Sequence, residues 1–248
     1  MAGHSHAANI AVKKGKMDRL RARTFAKCSK QIMVAARGGP DPNFNFALRH
    51  AIDLARAVSM PNDKIDHAVK KGAGLLEGIR MSETVIEAYV GPVALLIECV
   101  TDNQNRTRPE VSNILDKGGG KAAAANSVMW MFKRRGLLAV KKEALPEDKL
   151  MDLVLEAGAE DLTASGDAFE ILTPPEKFLV VKKALEDAKL ATTFAEIKYL
   201  ADNEIDADDA IAKKVLELVE NLEDHDDVNA VHHNMKITER VIELMKGA

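Results

Sequence analysis

The sequence predicts a mixed α/β (α+β) protein of three domains. These are an N-terminal three-helix domain, a middle α/β domain, and a ferredoxin-like βαββαβ domain inserted into the middle one. Three observations predict this. Apolar residues recur at helical spacing as far as Gly72 and then change to strand-length runs. Between Leu137 and Leu200 the patterns alternate as strand, helix, strand, strand, helix, strand. Charge also divides the chain. Residues 1–80 hold fifteen Lys and Arg against six Asp and Glu, although the whole chain carries a formal net charge of −3. A basic head on an acidic body points to a nucleic-acid partner for the head. The boundaries read as 1–78 for a basic helical domain with an N-terminal arm, 79–133 plus 204–248 for the middle domain, and 134–203 for the insert.

Composition narrows the class. A chain of 248 residues with 46% hydrophobic and 29% charged residues is an ordinary soluble globular protein. Aromatics at 4% count against a stacking platform for single strands. Cys28 and Cys99 lie far apart without metal-ligand spacing, so they read as free buried thiols in a reducing compartment. The longest apolar run, Val93–Ile97, falls far short of the roughly 20 residues of a membrane span. The opening MAGHSHAANIAVKK lacks the apolar core of a signal peptide. The expectation is a cytoplasmic protein with no membrane partner.

The first fifteen residues have no clear period and read as an extended arm. After Met17 a helix begins, with Phe25, Cys28, Ile32 and Ala35 spaced to face a core. Arg19, Arg23, Lys27, Lys30 and Arg37 lie at offsets of 4, 8, 11 and 18, which places five cations along one side. Arg21 and, in the arm, Lys13, Lys14 and Lys16 add to them. A solvated face usually mixes signs, and no acid falls between Arg19 and Lys30, so phosphate contact is the expectation. Gly38, Gly39, Pro40 and Pro42 break this helix. A second runs over about 43–58, with Leu48, Ile52 and Ala55 inward. A third opens with Pro61 at its first position and closes with Gly72 as a left-handed cap. Lys70 and Lys71 in its last turn suit either the helix dipole or nucleic acid.

Beyond a joint of Gly72, Gly74 and Gly78, Thr84–Val90 and Val93–Thr101 read as two strands joined at Gly91-Pro92, the second central. Arg106–Lys117 reads as a helix and Ser127–Phe132 as a strand. The βαββαβ run follows: strand Leu137–Lys141, helix Glu147–Ala157, strands Asp161–Ala164 and Ala168–Thr173 around Ser165-Gly166, helix Glu176–Ala188 and strand Thr193–Leu200. Asp202–Asp227 holds eleven acids against Lys213 and Lys214, around an amphipathic helix carrying Ile211, Val215, Leu218, Val219 and Leu222. Such a belt is most often a solvated face. It also suits repulsion of nucleic acid, which would confine binding to the head. A strand at Val228–His232 and a helix at Thr238–Lys246 finish the chain. With no sheet of their own, they return to the strands before Phe132.

Enzyme signatures are missing: no Walker A sequence, no GxGxxG after a strand, no HExxH, no nucleophile elbow. Gly118-Gly119-Gly120-Lys121 lacks P-loop spacing and reads as a turn. If Met1 is removed, His4 becomes the third residue, an incidental Cu(II) or Ni(II) chelator. His232 and His233 alternate across a strand and cannot share a metal. No catalytic residue, metal, cofactor or small-molecule substrate is expected. The dense polar run Thr101–Thr107 offers a possible secondary polar site at Asp102, Asn103, Asn105 and Arg106. Helix capping by Asn105 or Asp102 explains it equally well.

At this point the blocks MAGHS with ANI at Met1–Ile10, VAARGGPDP at Val34–Pro42, MPNDKI at Met60–Ile65 and KKG at Lys70–Gly72 resemble the YebC/PmpR family. ECVTDNQNRT at Glu98–Thr107, MFKRRG at Met131–Gly136 and EAGAED at Glu156–Asp161 continue the match along essentially the whole chain. The resemblance implies three domains and a non-enzymatic, cytoplasmic role in gene expression. It implies either a probable transcriptional regulator that binds DNA, or a translational activator associated with the ribosome. The chain departs from the family at His6-Ala7, where Lys-Trp is usual, at the short Gly91-Pro92 turn, at Ala122–Ala125, and in running on past Lys236. The partner expected is nucleic acid, promoter DNA or ribosomal RNA, with the ribosome itself in the second case. The alternative is a protein–protein adaptor docking through the acidic helix.

Overall fold

A computed structural model describes residues 21–77 and 81–247. The arm, with His4, His6, Lys13, Lys14, Lys16 and Arg19, lies outside the described residues, as does Gly78. The described chain opens with helices α1 (Arg21–Ala35), α2 (Phe46–Ala57) and α3 (Asn62–Gly72). The hairpin β1 (Ser82–Val90) and β2 (Val93–Thr101), helix α4 (Gln104–Lys117) and short strand β3 (Lys121–Ala122) follow. Then come β4 (Phe132–Lys141), α5 (Glu147–Glu156), β5 (Asp161–Ser165), β6 (Ala168–Thr173), α6 (Phe178–Asp187) and β7 (Thr192–Ala201). Helix α7 (Asp209–Glu223), strand β8 (Val228–His233) and helix α8 (Glu239–Gly247) end it. The fold divides into two compact units. One holds 21–129 and Lys213–Val231, the other Trp130–Ala212 and 232–247.

In the first unit the three helices close around one apolar cluster. Cys28 and Ile32 of α1 meet Leu48, Ile52 and Ala55 of α2 and Ile65 and Ala68 of α3, with Phe25 and Ala35 packed at the edge. The periodic residues of the sequence are thus the core residues. Asn45 is the N-cap of α2: its side-chain oxygen accepts the Leu48 N–H at 3.1 Å. Pro61 is the N-cap of α3 rather than its first residue, with φ −59° and ψ 140°. Gly72 is not a left-handed cap. It is the last helical residue, and the left-handed turn falls at Gly74, φ 73°. Gly72 serves a different purpose, because a methyl group there would collide with the Met33 backbone of α1.

The first sheet has the order β3-β1-β2-β8, so β2 is central, and it is buried along nearly its whole length. β1 and β2 pair in continuous register from Ser82↔Thr101 to Val90↔Val93. The two-residue turn uses Gly91 at φ 56°, which a residue with a Cβ resists. β8 returns to this sheet. In the Gly-rich run, Gly119 turns at φ 75°, and Gly118 and Gly120 give room to Leu218 of α7. The strand expected at Ser127–Phe132 is not formed. The chain there makes a turn and a short 3-10 segment, Met129–Met131, and β4 starts only at Phe132. The cause is Glu87, a buried carboxylate on β1. It accepts backbone N–H groups of Asn126 and Val128, each at 2.6 Å, and of Met129 at 2.9 Å. Those donors are unavailable to a strand ladder. Burial would raise this carboxyl's pKa, but the N–H groups outweigh burial and lower it.

In the second unit β4–β7 form an antiparallel sheet in the order β5-β6-β4-β7. With α5 and α6 as the crossovers, this is the ferredoxin-like arrangement expected from the alternation. Leu138, Val140, Phe169 and Ile171 of the sheet pack with Leu150 and Val154 of α5 and Phe178, Val181 and Leu185 of α6. Gly136 on β4 admits the Phe178 ring, which a methyl group would displace.

Gly72→Ala adds that methyl against backbone, which cannot swing aside. Overpacking of this kind costs about 1–3 kcal/mol. Urea denaturation should show a loss of this size for Gly72→Ala. It should show a smaller loss for Gly118→Ala, whose nearest neighbour is the movable end of the Leu218 side chain.

Candidate nucleic-acid interface

The cationic helix has two faces. One carries Phe25, Cys28 and Ile32 into the head core. The other carries Lys27, Lys30 and Gln31, spaced i, i+3, i+4. That second face is already engaged with the acidic segment. Lys27 Nζ donates to the Glu223 carbonyl at 2.6 Å. Lys30 Nζ donates to the Asp226 carbonyl at 2.8 Å and to Asp227 Oδ1 at 2.6 Å. Gln31 Nε2 donates to Asn229 Oδ1 at 2.8 Å. The end of the acidic belt therefore docks on α1 and is not simply a solvated face. Arg21 and Arg23 belong to α1. Arg37 stands exposed in the 3-10 turn after the helix, and Lys70 is exposed and Lys71 half-buried in the last turn of α3. Of the expected phosphate contacts, the structure thus places Lys27 and Lys30 against an internal partner, and Arg37 and Lys70 in solvent.

The polar run 101–107 meets the same segment. Asn103, not Asn105 or Asp102, caps α4, accepting the Arg106 N–H at 3.2 Å. Arg106 Nη2 donates to Asp102 Oδ1 at 2.9 Å and to Asp227 Oδ2 at 2.6 Å. The hydroxyls of Thr107 and Thr101 lie 2.7 and 3.1 Å from Asp227 Oδ2. The Asp227 carbonyl accepts the Val100 N–H at 2.8 Å. Asn105 is exposed, and Asp102 is exposed but paired with Arg106. Capping and anchorage of Asp227 account for most of this run, and only its outer rim remains open.

Asp227 was not singled out by the sequence, where it is one acid among eleven. It is buried, and burial on its own would raise its carboxyl pKa. Hydrogen bonds from Lys30, Arg106 and Thr107, and the Lys30 charge, outweigh burial and hold the group well below the usual carboxylate range. Next to it His225 Nδ1 accepts the Asp227 N–H at 3.1 Å, which leaves Nε2 to donate to Glu110 Oε2 at 3.0 Å. Ligand atoms of Glu110, His225 and Asp227 come within 4.8 Å of one another. These groups already serve the hydrogen bonds above, and the Arg106 guanidinium lies beside them, 2.6 Å from Asp227 Oδ2 and 3.9 Å from Glu110 Oε2. Cys99, under the same carboxylate, has its thiol pKa pushed up to about 12 by burial and by the Asp227 charge. Cys28 is raised by burial too, and both cysteines are unbridged.

Comparison with known proteins places this arrangement in context. Residues 5–75 match the family model described as the TACO1/YebC protein N-terminal domain. Residues 81–235 match the TACO1/YebC second and third domain. A "probable transcriptional regulatory protein" of Maridesulfovibrio salexigens is 44% identical over 247 residues, covering 99% of this chain and all of that one. A protein of the same name from Halothermothrix orenii is 46% identical, covering 98% of each chain. The crystal structure of a conserved hypothetical protein from Aquifex aeolicus superposes with a TM-score of 0.81 at 38% identity, over 91% of this chain and 94% of that one.

Asp227→Asn keeps the shape of the side chain and removes its charge, leaving Lys30 and Arg106 without their counter-ion. The unfolding free energy at pH 7 should fall by about 3 kcal/mol. The folded carboxyl titrates below its unfolded value of about 3.9. Its contribution is therefore complete above that pH and is lost as the pH falls toward the folded value. Urea midpoints of wild type and Asp227→Asn should differ at pH 7 and draw together below about pH 4.

Proposed function

This chain belongs to the TACO1/YebC family, and we propose that it is a non-enzymatic nucleic-acid-binding regulator of gene expression that grips phosphate through its basic head. The segregation of charge carries the reading: fifteen cations against six acids in residues 1–80 of a chain whose net charge is −3. The relatives' name, probable transcriptional regulatory protein, supports a regulatory role. Lys27 and Lys30 are held by Glu223, Asp226 and Asp227. The phosphate contacts on this reading are therefore Lys13, Lys14, Lys16, Arg19, Arg21, Arg23, Arg37, Lys70 and Lys71. Lys27 and Lys30 align the helix that carries several of them.

Between promoter DNA and ribosomal RNA we favour RNA in the cytoplasm. The head offers exposed cations around a helical core, without a helix patterned for reading base edges among the described residues, and such a surface reads backbone and shape. No helix among the described residues is long and apolar enough to cross a membrane. The adaptor alternative docks through the acidic helix α7. Val215, Leu218 and Leu222 are buried, so only its acidic face is available to a partner.

Engagement of about six phosphates makes affinity for a nucleic-acid probe fall roughly a thousandfold between 50 and 200 mM salt. Filter binding should show that slope, and Arg37→Glu with Lys70→Glu should flatten it by about two contacts. An adaptor would be indifferent to both changes. On sucrose gradients at moderate salt the protein should travel with ribosomal subunits. Recovery only at the top of the gradient rejects the ribosomal target.

A further inference from the structure

Two phenylalanines of the head stand in water. Phe44 is 88% exposed and Phe46 58%. The loop that presents them is not loose. Asn45 Nδ2 donates to the carbonyls of Ala35 and Gly39 at 2.7 and 2.8 Å, while its oxygen caps α2. Asp41 receives three N–H groups: Asn43 on its carboxylate, and Phe44 and Asn45 on its carbonyl. Arg49 donates to the carbonyls of Pro42 and Asn43 at 2.9 and 3.0 Å. Backbone on both sides of Phe44 is therefore fixed, and the ring is held outward by a fastened turn.

The surroundings indicate what the rings are for. The Arg49 guanidinium lies over the Phe46 ring, 5.3 Å from its centre, and covers one face. Arg37 and Arg49 are exposed beside the loop. Between residues 37 and 57 the large apolar side chains that stand exposed are Phe44 and Phe46, too few for the wide apolar surface a protein partner buries. Isolated rings beside cations suit the flat face of a nucleobase whose phosphate is held nearby. A base within a duplex is already stacked on both sides and cannot reach them.

We propose that Phe44 and Phe46, backed by Arg49, form a stacking site for an unpaired base of the nucleic acid that the head binds. The inference rests on the nucleic-acid reading above and adds that the target contains a loop, bulge or single strand.

The test measures fluorescence anisotropy of the full chain with three labelled probes at one salt concentration. These are an RNA hairpin with an unpaired loop, the DNA hairpin of the same sequence, and a fully paired RNA duplex with the same number of phosphates. Phe44→Leu with Phe46→Leu keeps apolar bulk and removes the aromatic faces. It should weaken the hairpin complex about tenfold and leave the duplex complex unchanged. Phe44→Tyr with Phe46→Tyr should restore hairpin binding. The hairpin that responds, RNA or DNA, identifies the source of the base. Hairpin affinity equal to wild type in the Leu variant overturns the proposal, as does an equal loss on hairpin and duplex. A wild-type protein that binds none of the three probes overturns the nucleic-acid reading itself. An unchanged urea midpoint in the Leu variant excludes misfolding as the cause of a loss.

Discussion

A carboxylate taken out of water is costly unless every lone pair finds a donor, and in this fold one such group joins four elements. Asp227 precedes β8, receives Lys30 from α1, lies against the hydroxyls of Thr101 and Thr107 at the end of β2 and the start of α4, and takes the Arg106 guanidinium. Removing any one donor leaves the rest around an under-compensated charge. Lys27 on the Glu223 carbonyl and Gln31 on Asn229 of β8 add to the same joint between the helical cluster and the sheet. The joint gives them a specific registration that apolar packing alone does not supply.

This constraint divides the cations of the head. Those at Lys27 and Lys30 are taken by the end of the acidic belt, Lys30 through its ion pair with Asp227 and both through backbone carbonyls, so the belt acts on α1 directly. Those at Arg37 and Lys70 remain in solvent. A basic helix is thus held in place by the acidic segment of the same unit, and the cations this segment does not reach are the ones proposed above to hold phosphate. Glu87 solves the same desolvation problem differently. Its carboxylate is compensated by backbone N–H groups, and in taking them it shapes the turn before β4.

Local patterns carried most of the architecture. The spacing of Leu48, Ile52 and Ala55, the apolar run through Leu95–Ile97, and the alternation from Leu137 to Leu200 each correspond to an observed element and its core. What escaped was long-range or geometric. Lys30 and Asp227 are 197 residues apart, and nothing local distinguishes Asp227 from Asp226. Ser127–Phe132 has strand-like composition, but a carboxylate some forty residues away captures its N–H groups. The two residues of β3 are too few to show a period. Gly72 looked like a cap because a glycine ends many helices, whereas here it permits close approach to Met33. A low aromatic content gave no indication that Phe44 and Phe46 would be held in solvent.

The central claim is that the Lys30–Asp227 pair holds the cationic helix to the rest of its unit. A double-mutant cycle with Lys30→Met and Asp227→Asn, read as unfolding free energies in urea at pH 7, tests it most directly. The account predicts that the two substitutions are strongly non-additive, with a coupling of about 2 kcal/mol. Losses that add to within about 0.3 kcal/mol would contradict it.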